Sequence, residues 1–280
     1  MISNPTSLEQ ITNKGNAESF SALRCQNGTC LEFKQELIGE EPLSINVEGK
    51  PYAVVMRTPG EEIPHVAGFC LGEGVVDFPD DFAAIGHCED MDPNVVDVHL
   101  KPERIENVSV ILDRRGYISQ TSCGICGKEL IEDICQSLEP IVTDEKINIK
   151  EAINCVARLQ DSQELYGRTY GSHAVMILNK GLQVLATSED VGRHNALDKS
   201  IGKVFMSRQL EHAYIAATTS RISYELVQKA ARARLSIMIS KSRPTALAVE
   251  MGKRLNMSLA CIGKKSGLII LCGKERFIRE

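Results

Sequence analysis

The regular alternation of strands and helices in the second half of the sequence constrains the fold more than any other feature. From about Asn148 onward, short β-rich apolar runs are separated by amphipathic stretches long enough to form helices. Strands separated in this way predict βαβ units and a sheet covered by helices on both faces. The predicted strands lie at residues 174–178, 182–186, 214–218, 236–239, 259–262 and 268–271. We therefore expect an α/β three-layer domain here.

The first half predicts a different architecture, a small sheet with one helix. Two β-rich runs, 43–47 and 52–57, flank the hairpin signal Glu48-Gly49-Lys50. In Thr58-Pro59-Gly60-Glu61 a capping residue precedes a Pro at the first helical position, which predicts a helix over 59–76. Further strands are predicted over residues 95–100 and 107–112. This mixture indicates an α+β domain.

The chain therefore divides into three predicted regions. Residues 1–28 are rich in Ser, Asn, Thr and Gln without periodicity, which predicts a mobile N-terminal extension. Residues 29–145 form the α+β domain, which ends in a cysteine-containing loop and a helix. Residues 146–280 form the α/β domain. The boundary lies near residues 138–150, where Pro140 and charged residues interrupt the pattern.

The composition excludes several classes of protein. In 280 residues, 43% are hydrophobic and 25% charged, which is typical of soluble globular proteins and excludes disordered or collagen-like chains. Ten cysteines are too dilute for a secreted disulfide scaffold, and the N-terminus lacks the apolar segment of a secretory signal. No apolar run approaches the roughly 20 residues of a membrane helix. We expect a thiol-rich, cytoplasmic protein without a membrane span.

The net charge of −5 conceals an asymmetry between the two ends of the chain. Residues 199–280 hold 16 basic and 5 acidic residues, a balance of +11, so the first 198 residues carry −16. Such a split suggests that the C-terminal third binds an anion, either nucleic acid or the phosphates of a nucleotide or cofactor. A solvated basic surface is the alternative, because the basic residues form no run of five or more.

The sharpest local motif is Cys123-Gly124-Ile125-Cys126, in a polar loop before a predicted helix. Two thiols at this spacing can reach each other, and the helix start with nearby Arg114, Arg115 and Lys128 favours the thiolate. The motif fits a thiol-disulfide redox pair, half of a zinc site, or a persulfide-carrying nucleophile with a helper cysteine. Two ordinary buried cysteines are the structural alternative.

Zinc binding and redox exchange each require a further feature. A zinc site needs about four ligands. At irregular spacing, the residues available to complete it are Cys135, Cys155, His173 and His194. A thioredoxin-like pair needs a preceding strand, which residues 107–112 are predicted to supply, although about ten residues separate it from Cys123. Redox exchange remains the second hypothesis, and Cys25 and Cys30 receive no role.

Two further segments of the α/β domain carry groups suited to anions. Residues 188–199 place Arg193, His194 and Asn195 at a helix start, which suits a phosphate or polar heterocycle or, alternatively, a capped helix with surface ion pairs. The segment Ile262-Gly263-Lys264-Lys265-Ser266-Gly267, between the last two strands, combines glycines and lysines in a manner that suits a phosphate or an ordinary hairpin turn.

Three long segments together closely resemble the FdhD/NarQ family of formate dehydrogenase accessory sulfurtransferases. The similarity covers about residues 30–275 in consistent order and includes the shorter runs Leu71-Gly72-Glu73-Gly74 and 244–250. The three segments are Thr121-Ser122-Cys123-Gly124-Ile125-Cys126-Gly127-Lys128, Glu189-Asp190-Val191-Gly192-Arg193-His194-Asn195-Ala196-Leu197-Asp198-Lys199 and Ser220-Arg221-Ile222-Ser223-Tyr224-Glu225-Leu226-Val227-Gln228-Lys229-Ala230-Ala231-Arg232-Ala233.

The resemblance implies a cytosolic sulfur carrier that accepts persulfide sulfur from a cysteine desulfurase. It would pass this sulfur to the bis-molybdopterin guanine dinucleotide molybdenum cofactor, bound as substrate, and so activate formate dehydrogenase. Cys123 is then the persulfide carrier, and Cys126 assists or resolves. The resemblance also implies a homodimer and a C-terminal domain with the cytidine deaminase fold, without deaminase activity, since the H-x-E and P-C-x-x-C signature is absent. No nucleic-acid partner and no resident metal are implied.

The family's cofactor-binding segment matches Ile262 to Gly267, and Arg193 and His194 are additional candidates. Ile262, Lys264 and Lys265 stand where family members usually carry an aromatic residue and arginines. Without the aromatic residue and the arginines, this segment lacks the side chains that stack on a base and that contact a phosphate through two nitrogens.

Overall fold

The computed structural model describes residues 15–87, 92–114, 138–263 and 267–279. In chain order, its strands are β1 Ala17–Gln26, β2 Thr29–Ile38, β3 Glu41–Val47, β4 Lys50–Arg57, β5 Phe82–Gly86, β6 Val95–Leu100, β7 Ile147–Asn148, β8 His173–Asn179, β9 Val184–Asp190, β10 Ala213–Thr218, β11 Ile237–Ser240, β12 Ser258–Gly263, β13 Gly267–Cys272 and β14 Phe277–Ile278. Its helices are α1 Glu62–Glu73, α2 Pro102–Arg114, α3 Ile149–Asp161, α4 Glu164–Thr169, α5 Arg193–Met206, α6 Tyr224–Arg232 and α7 Ala246–Arg254.

The largest sheet has the strand order β13-β12-β11-β10-β8-β9. Strands β10, β11 and β12 are parallel, whereas β8, β9 and β13 run antiparallel to the strands beside them. Every residue of β10 is buried, as expected for a strand covered on both faces. All six strands predicted in this half of the sequence are therefore confirmed.

Helices cover both faces of this sheet. Ala174, Ile215 and Ile239 face α3 in one apolar cluster. Their neighbours Val175 and Ala216 point the other way, into a second cluster with α5, α6 and α7. Helix α3 begins at a capping box between Asn148 and Glu151, and its buried side chains form the stripe that packs on the sheet.

The second core extends from the large sheet into the first half of the chain. Helix α1 packs across α5, and a smaller sheet of order β4-β3-β6-β5 covers α1. Leu43, Phe69 and Ile201 belong to this one core, although more than a hundred residues separate the first from the last. The two regions divided near residues 138–150 thus pack on a shared interior, and the division itself remains a prediction.

The structure corrects the predicted N-terminal extension. Residues 17–26, within the segment expected to be mobile up to residue 28, form β1 and pair with β2 along their whole length. Asn27 and Gly28, both at positive φ (51° and 80°), make the turn. An Asn-Gly pair between two β-rich runs is a strong hairpin signal, and the polar composition of the segment concealed it.

The strand predicted over 107–112 is also wrong, because these residues belong to α2. Pro102 occupies the first helical position, and Glu103 lies in the first turn. The helix is anchored by Arg104, which donates to the carbonyls of Gly74 and Val75 at 2.8 Å each and pairs with Asp77. Tertiary contacts therefore outweigh the β-propensity of its Val and Ile residues.

The first predicted helix exists but begins later than expected. Helix α1 starts at Glu62, and Glu61 precedes it with φ of 64°. Thr58 does not cap α1; its hydroxyl accepts instead from the backbone N–H of Val191 at 3.0 Å. Within the described ranges, no helix has the length and apolar character that crossing a membrane requires.

Candidate functional site

The ends of the central strands meet at one edge of the large sheet, which we call the carboxyl edge. Thr218 of β10 pairs with Ser240 of β11, and Gly263 ends β12 beside them. The antiparallel neighbours bring His173, the first residue of β8, opposite Asp190, the last of β9. Ligands of open α/β sheets bind outside the carboxyl ends of the parallel strands, so this edge is the candidate site.

The carboxyl edge carries a concentration of positive charge. Arg221 follows β10, and Lys241 and Arg243 follow β11; all three side chains are exposed. Arg193 begins α5 at the same edge, and its Nε is buried without a hydrogen-bond acceptor among the described residues. An unsatisfied buried guanidinium nitrogen is costly unless a ligand meets it. The edge can therefore bind anionic groups such as phosphates.

A histidine and a carboxylate pair beside these basic residues. Nε2 of His194 lies 2.8 Å from Oε2 of Glu225 and 3.3 Å from Oγ of Ser223. The hydrogen bond from His194 holds the pKa of the Glu225 carboxyl below its ordinary value. Burial, and then the charge of Arg193, lower the pKa of nearby His173. The site thus places a carboxyl group whose surroundings favour its ionised form near His173, whose surroundings favour the neutral ring.

Short hydroxyl contacts hold the loops that leave the parallel strands. The Ser240 hydroxyl donates to the carbonyl of Ser220 at 2.5 Å and accepts from the backbone N–H of Ser242 at 2.8 Å. The hydroxyls of Thr218 and Ser220 lie 3.1 Å apart. These contacts tie the β10 and β11 loops together, so the basic residues on them start from fixed backbone positions.

A buried carboxylate sets the chain's entry into α5. The carboxylate of Asp190, with no exposed surface, accepts from the N–H of Gly192 at 2.7 Å, the amide of Asn195 at 2.9 Å and the N–H of Thr58 at 3.0 Å. Lys199, 1% exposed, pairs with the same carboxylate at 2.7 Å. The ion pairs expected on a surface helix are instead interior. They fix the turn that presents Arg193.

A second buried pair joins two of the three family segments to the shorter run Leu71-Gly72-Glu73-Gly74. Nζ of Lys229 lies 2.8 and 2.7 Å from the carboxylate oxygens of Asp198, 3.9 Å from Glu73 and 5.1 Å from the ring centroid of Phe69. A Cβ on Gly72 would lie 3.0 Å from the Lys229 side chain. The run Leu71-Gly72-Glu73-Gly74 therefore forms part of the wall around the buried Lys229 side chain.

The predicted site residues fall into two groups. Arg193 and His194 lie at the carboxyl edge, as do Ile262 and Gly263 at the end of β12 and Gly267, which pairs with Gly263. Cys123, Cys126, Lys264, Lys265 and Ser266 lie outside the described residues. Cys155, considered as a zinc ligand, is a buried residue of α3, on the opposite face of the large sheet from α5, which carries His194.

Sequence reasoning missed several interior polar residues. His65 of α1 is fully buried, and its pKa is well below the usual value because burial penalises the charged ring and Lys199, Lys229 and Arg57 repel it. Arg57, 1% exposed, pairs with Glu62 at 3.0 Å. The sequence around His65 gave no signal for its surroundings, since Lys199 and Lys229 lie more than a hundred residues away along the chain.

Comparisons with known proteins agree with this assembly of segments. The model of the FdhD/NarQ family matches residues 38–278. The sulfur carrier protein FdhD of Streptomyces coelicolor is 31% identical over 270 residues, which cover 92% of this chain and 95% of that protein. The sulfur carrier protein FdhD of Anaeromyxobacter dehalogenans, strain 2CP-C, is 31% identical over 255 residues, covering 87% and 88%.

A solved structure shares the fold. It is described as a formate dehydrogenase accessory protein from Desulfotalea psychrophila, and it matches with a TM-score of 0.73 at 21% identity, covering 94% of this chain and 99% of that chain. The mixed α/β architecture is thus found in a solved protein, and the family model spans every segment that meets at the carboxyl edge. The chain belongs to the FdhD/NarQ family.

Proposed function

We propose that this protein is a cytoplasmic sulfur carrier needed for formate dehydrogenase activity. It takes persulfide sulfur from a cysteine desulfurase and transfers it to the bis-molybdopterin guanine dinucleotide molybdenum cofactor. The names of its relatives, sulfur carrier protein FdhD, support the sulfur-transfer role. Binding of the acceptor cofactor is proposed from one observation. Four basic residues converge on one edge of the sheet: Arg193, Arg221, Lys241 and Arg243.

The proposed sulfur step uses the two cysteines of the C-x-x-C motif. The Cys123 thiolate attacks the terminal sulfur of the desulfurase persulfide, the sulfur–sulfur bond of that persulfide breaks, and the desulfurase thiolate leaves. The Cys126 thiolate then attacks Sγ of the Cys123 persulfide, which releases hydrosulfide to the acceptor and leaves a Cys123–Cys126 disulfide. A dithiol reductant restores both thiols. This assignment rests on the sequence motif and on the relatives.

The acceptor is bound through its phosphates in this proposal. Two guanine dinucleotides bear four phosphates, and guanidinium groups match phosphate oxygens in geometry and charge. Arg193 contributes a buried, unsatisfied Nε, and the exposed side chains of Arg221 and Arg243 supply further donors. The segment Ile262 to Gly267 also binds the cofactor in this proposal, and its described residues Ile262, Gly263 and Gly267 lie at the same edge of the sheet. A homodimer and a cytidine deaminase-like C-terminal domain remain parts of the same hypothesis.

Two other functions use the same residues differently. A thiol-disulfide oxidoreductase of the thioredoxin kind needs a strand before the cysteine pair, and residues 107–112 form a helix instead. That finding weighs against the redox alternative. A non-catalytic cofactor chaperone would need the basic edge but not the cysteines, so the role of the cysteines decides between carrier and chaperone.

Activation of formate dehydrogenase distinguishes these functions. An extract lacking the endogenous carrier is supplied with desulfurase, cysteine and either the wild-type protein or its Cys123→Ala variant. We expect formate oxidation with the wild type and background activity with the variant. Cys25→Ser/Cys30→Ser serves as the matched control, because it removes two exposed sulfurs outside the family match. Full activation by a Cys123→Ala/Cys126→Ala variant would favour the chaperone.

A further inference from the structure

Two cysteines that the proposed function does not use face each other on the N-terminal hairpin. Cys25 of β1 and Cys30 of β2 are directly opposed in the ladder, and their sulfurs form a disulfide. The turn Asn27-Gly28 between them sets this register, because both residues adopt positive φ. The pair thus lies next to the tip of the hairpin.

Exposure separates this pair from the other cysteines that the structure describes. Cys25 and Cys30 are both exposed. Cys70, Cys155, Cys261 and Cys272 are all buried, and burial raises the pKa of the last three. Thiol exchange requires an accessible sulfur and a thiolate. Within the described ranges, the hairpin pair meets the first requirement and the buried cysteines do not.

The disulfide can open without disturbing the fold. It spans a sequence separation of five at the tip, whereas the ladder continues for the whole hairpin, from Ala17 opposite Ile38 to the turn. The far end of the hairpin is held to the body by Arg168, whose Nε and Nη2 donate to the two carboxylate oxygens of Glu36 at 3.0 and 2.5 Å. Reduction removes none of these contacts.

The surroundings of the pair suit a protein partner. Leu23, 65% exposed, lies on the same face of the hairpin as the two cysteines and offers an apolar contact beside them, whereas Leu31, 67% exposed, lies on the other face. Arg24 is opposite Leu31 in the ladder, so its guanidinium lies on that other face, 4.5 Å from the ring centroid of Phe33. The family model begins at residue 38, so the pair lies outside the part of the chain that this model matches.

We propose that Cys25 and Cys30 form a reversible redox couple that exchanges with a dithiol protein of the thioredoxin class. A thiolate of the reductant attacks one Sγ, the Cys25–Cys30 bond breaks, and a mixed disulfide forms. The second thiol of the reductant resolves it, so that the reductant is oxidised to its disulfide and two electrons and two protons reach Cys25 and Cys30. In the cytoplasmic setting expected for this chain, exposed disulfides are typically transient and take part in exchange or sensing.

The test treats the oxidised full-length chain with thioredoxin, thioredoxin reductase and NADPH, labels the folded protein with iodoacetamide at mildly alkaline pH, and locates the labelled peptides by mass spectrometry. We expect Cys25 and Cys30 to be unlabelled before treatment and both labelled afterwards, with Cys155 unlabelled throughout. The far-ultraviolet circular dichroism, which reports the backbone fold, should not change. Cys25→Ser/Cys30→Ser should consume one NADPH fewer per chain than the wild type, which isolates this pair from Cys123 and Cys126.

Three results would overturn the proposal. The first is full labelling of Cys25 and Cys30 before any reductant is added, because no disulfide then exists. The second is a pair that resists thioredoxin but opens with a chemical reductant after denaturation, which would make it a structural crosslink. The third is loss of the native spectrum on reduction.

Discussion

At the scale of single residues, the molecule places ionisable side chains in its interior and satisfies them there. Asp190 and Asp198 are almost fully buried, and each carboxylate has a lysine within 2.7 Å. Removal of one partner from such a pair leaves an uncompensated buried charge, which costs far more than the intact pair contributes. The interior charges therefore have direct consequences for stability.

Replacement of Lys229 tests the second pair. Lys229→Met leaves Asp198 buried without its cation, so we expect the free energy of unfolding in urea to fall by about 3–5 kcal/mol. The double variant Lys229→Met/Asp198→Leu removes both charges and should recover most of that loss. A double variant as unstable as the single one would show that lost packing, rather than the unpaired charge, causes the effect.

His65 makes stability depend on pH in a predictable direction. Its folded pKa lies well below 6.5, so below about that pH the unfolded chain takes up a proton that the folded protein refuses. The contribution of His65 to the free energy of unfolding is therefore fully present above pH 6.5. Below that pH it falls by up to ~1.4 kcal/mol per pH unit. His65→Gln should flatten the wild-type curve of unfolding free energy between pH 6.5 and 5. Parallel curves for the two proteins would contradict the assignment.

At the scale of secondary-structure elements, the close crossing of α1 and α5 joins the two halves of the chain. Gly68 and Gly202 meet at the crossing: a Cβ on Gly68 would lie 1.9 Å from the carbonyl oxygen of Asp198, and one on Gly202 would lie 1.7 Å from that of Pro64. The obstacles are backbone atoms, which cannot rotate away. The helices can approach this closely because both positions are glycine.

Alanine at this crossing should therefore separate the helices. We expect Gly68→Ala to lower the unfolding free energy by about 1–3 kcal/mol or more, since overpacking forces backbone shifts. Gly167→Ala is the matched control: Gly167 lies in α4, and nothing stands within 4 Å of its added Cβ. There the change should stay within about 1 kcal/mol, in the stabilising direction. Equal effects at both positions would contradict the close crossing.

The fold was predictable where local pattern and tertiary structure agree. The central strands β8, β10 and β11 of the large sheet are almost wholly buried, and helices or hairpin turns bound all six strands, so periodicity and turn residues sufficed to predict them. Residues 107–112 show the opposite case. Their β-propensity favours a strand, but the contacts of Arg104 with Asp77 and with the carbonyls that follow α1 stabilise a helix there. The hairpin of β1 and β2 was missed because composition was weighed above the signal of Asn27-Gly28.

At the scale of the whole molecule, segments far apart in sequence assemble one basic edge. The sequence predicted Arg193 and His194 as site residues and a positively charged C-terminal third. It did not predict that Arg221, Lys241 and Arg243 would join them, because the meeting of strand ends follows from the parallel order β10-β11-β12. The buried Asp190 to Thr58 contact, which orients Arg193, depends on a pairing across 132 residues.

This edge should bind guanine nucleotides through its arginines. With guanosine diphosphate as the probe, Arg221→Ser/Arg243→Ser should weaken binding about tenfold, because two exposed ionic contacts contribute ~0.5–1 kcal/mol each. The charge-matched control is Lys253→Ser/Arg254→Ser, at the end of α7 farthest from the edge, which should bind as the wild type does. Isothermal titration calorimetry at low and high salt measures the affinity of each variant for the nucleotide. Equal weakening by the two variants would indicate a general charge effect and contradict a site at this edge.

The most direct measurement of the central claim follows one sulfur atom through Cys123. The protein is incubated with a cysteine desulfurase and ³⁵S-labelled cysteine, and its peptides are resolved with and without the molybdenum cofactor as acceptor. The account predicts a labelled persulfide on Cys123, seen as a gain of roughly 32 Da, which disappears as the label reaches the cofactor. An unlabelled Cys123 peptide together with a labelled, active formate dehydrogenase would contradict the account.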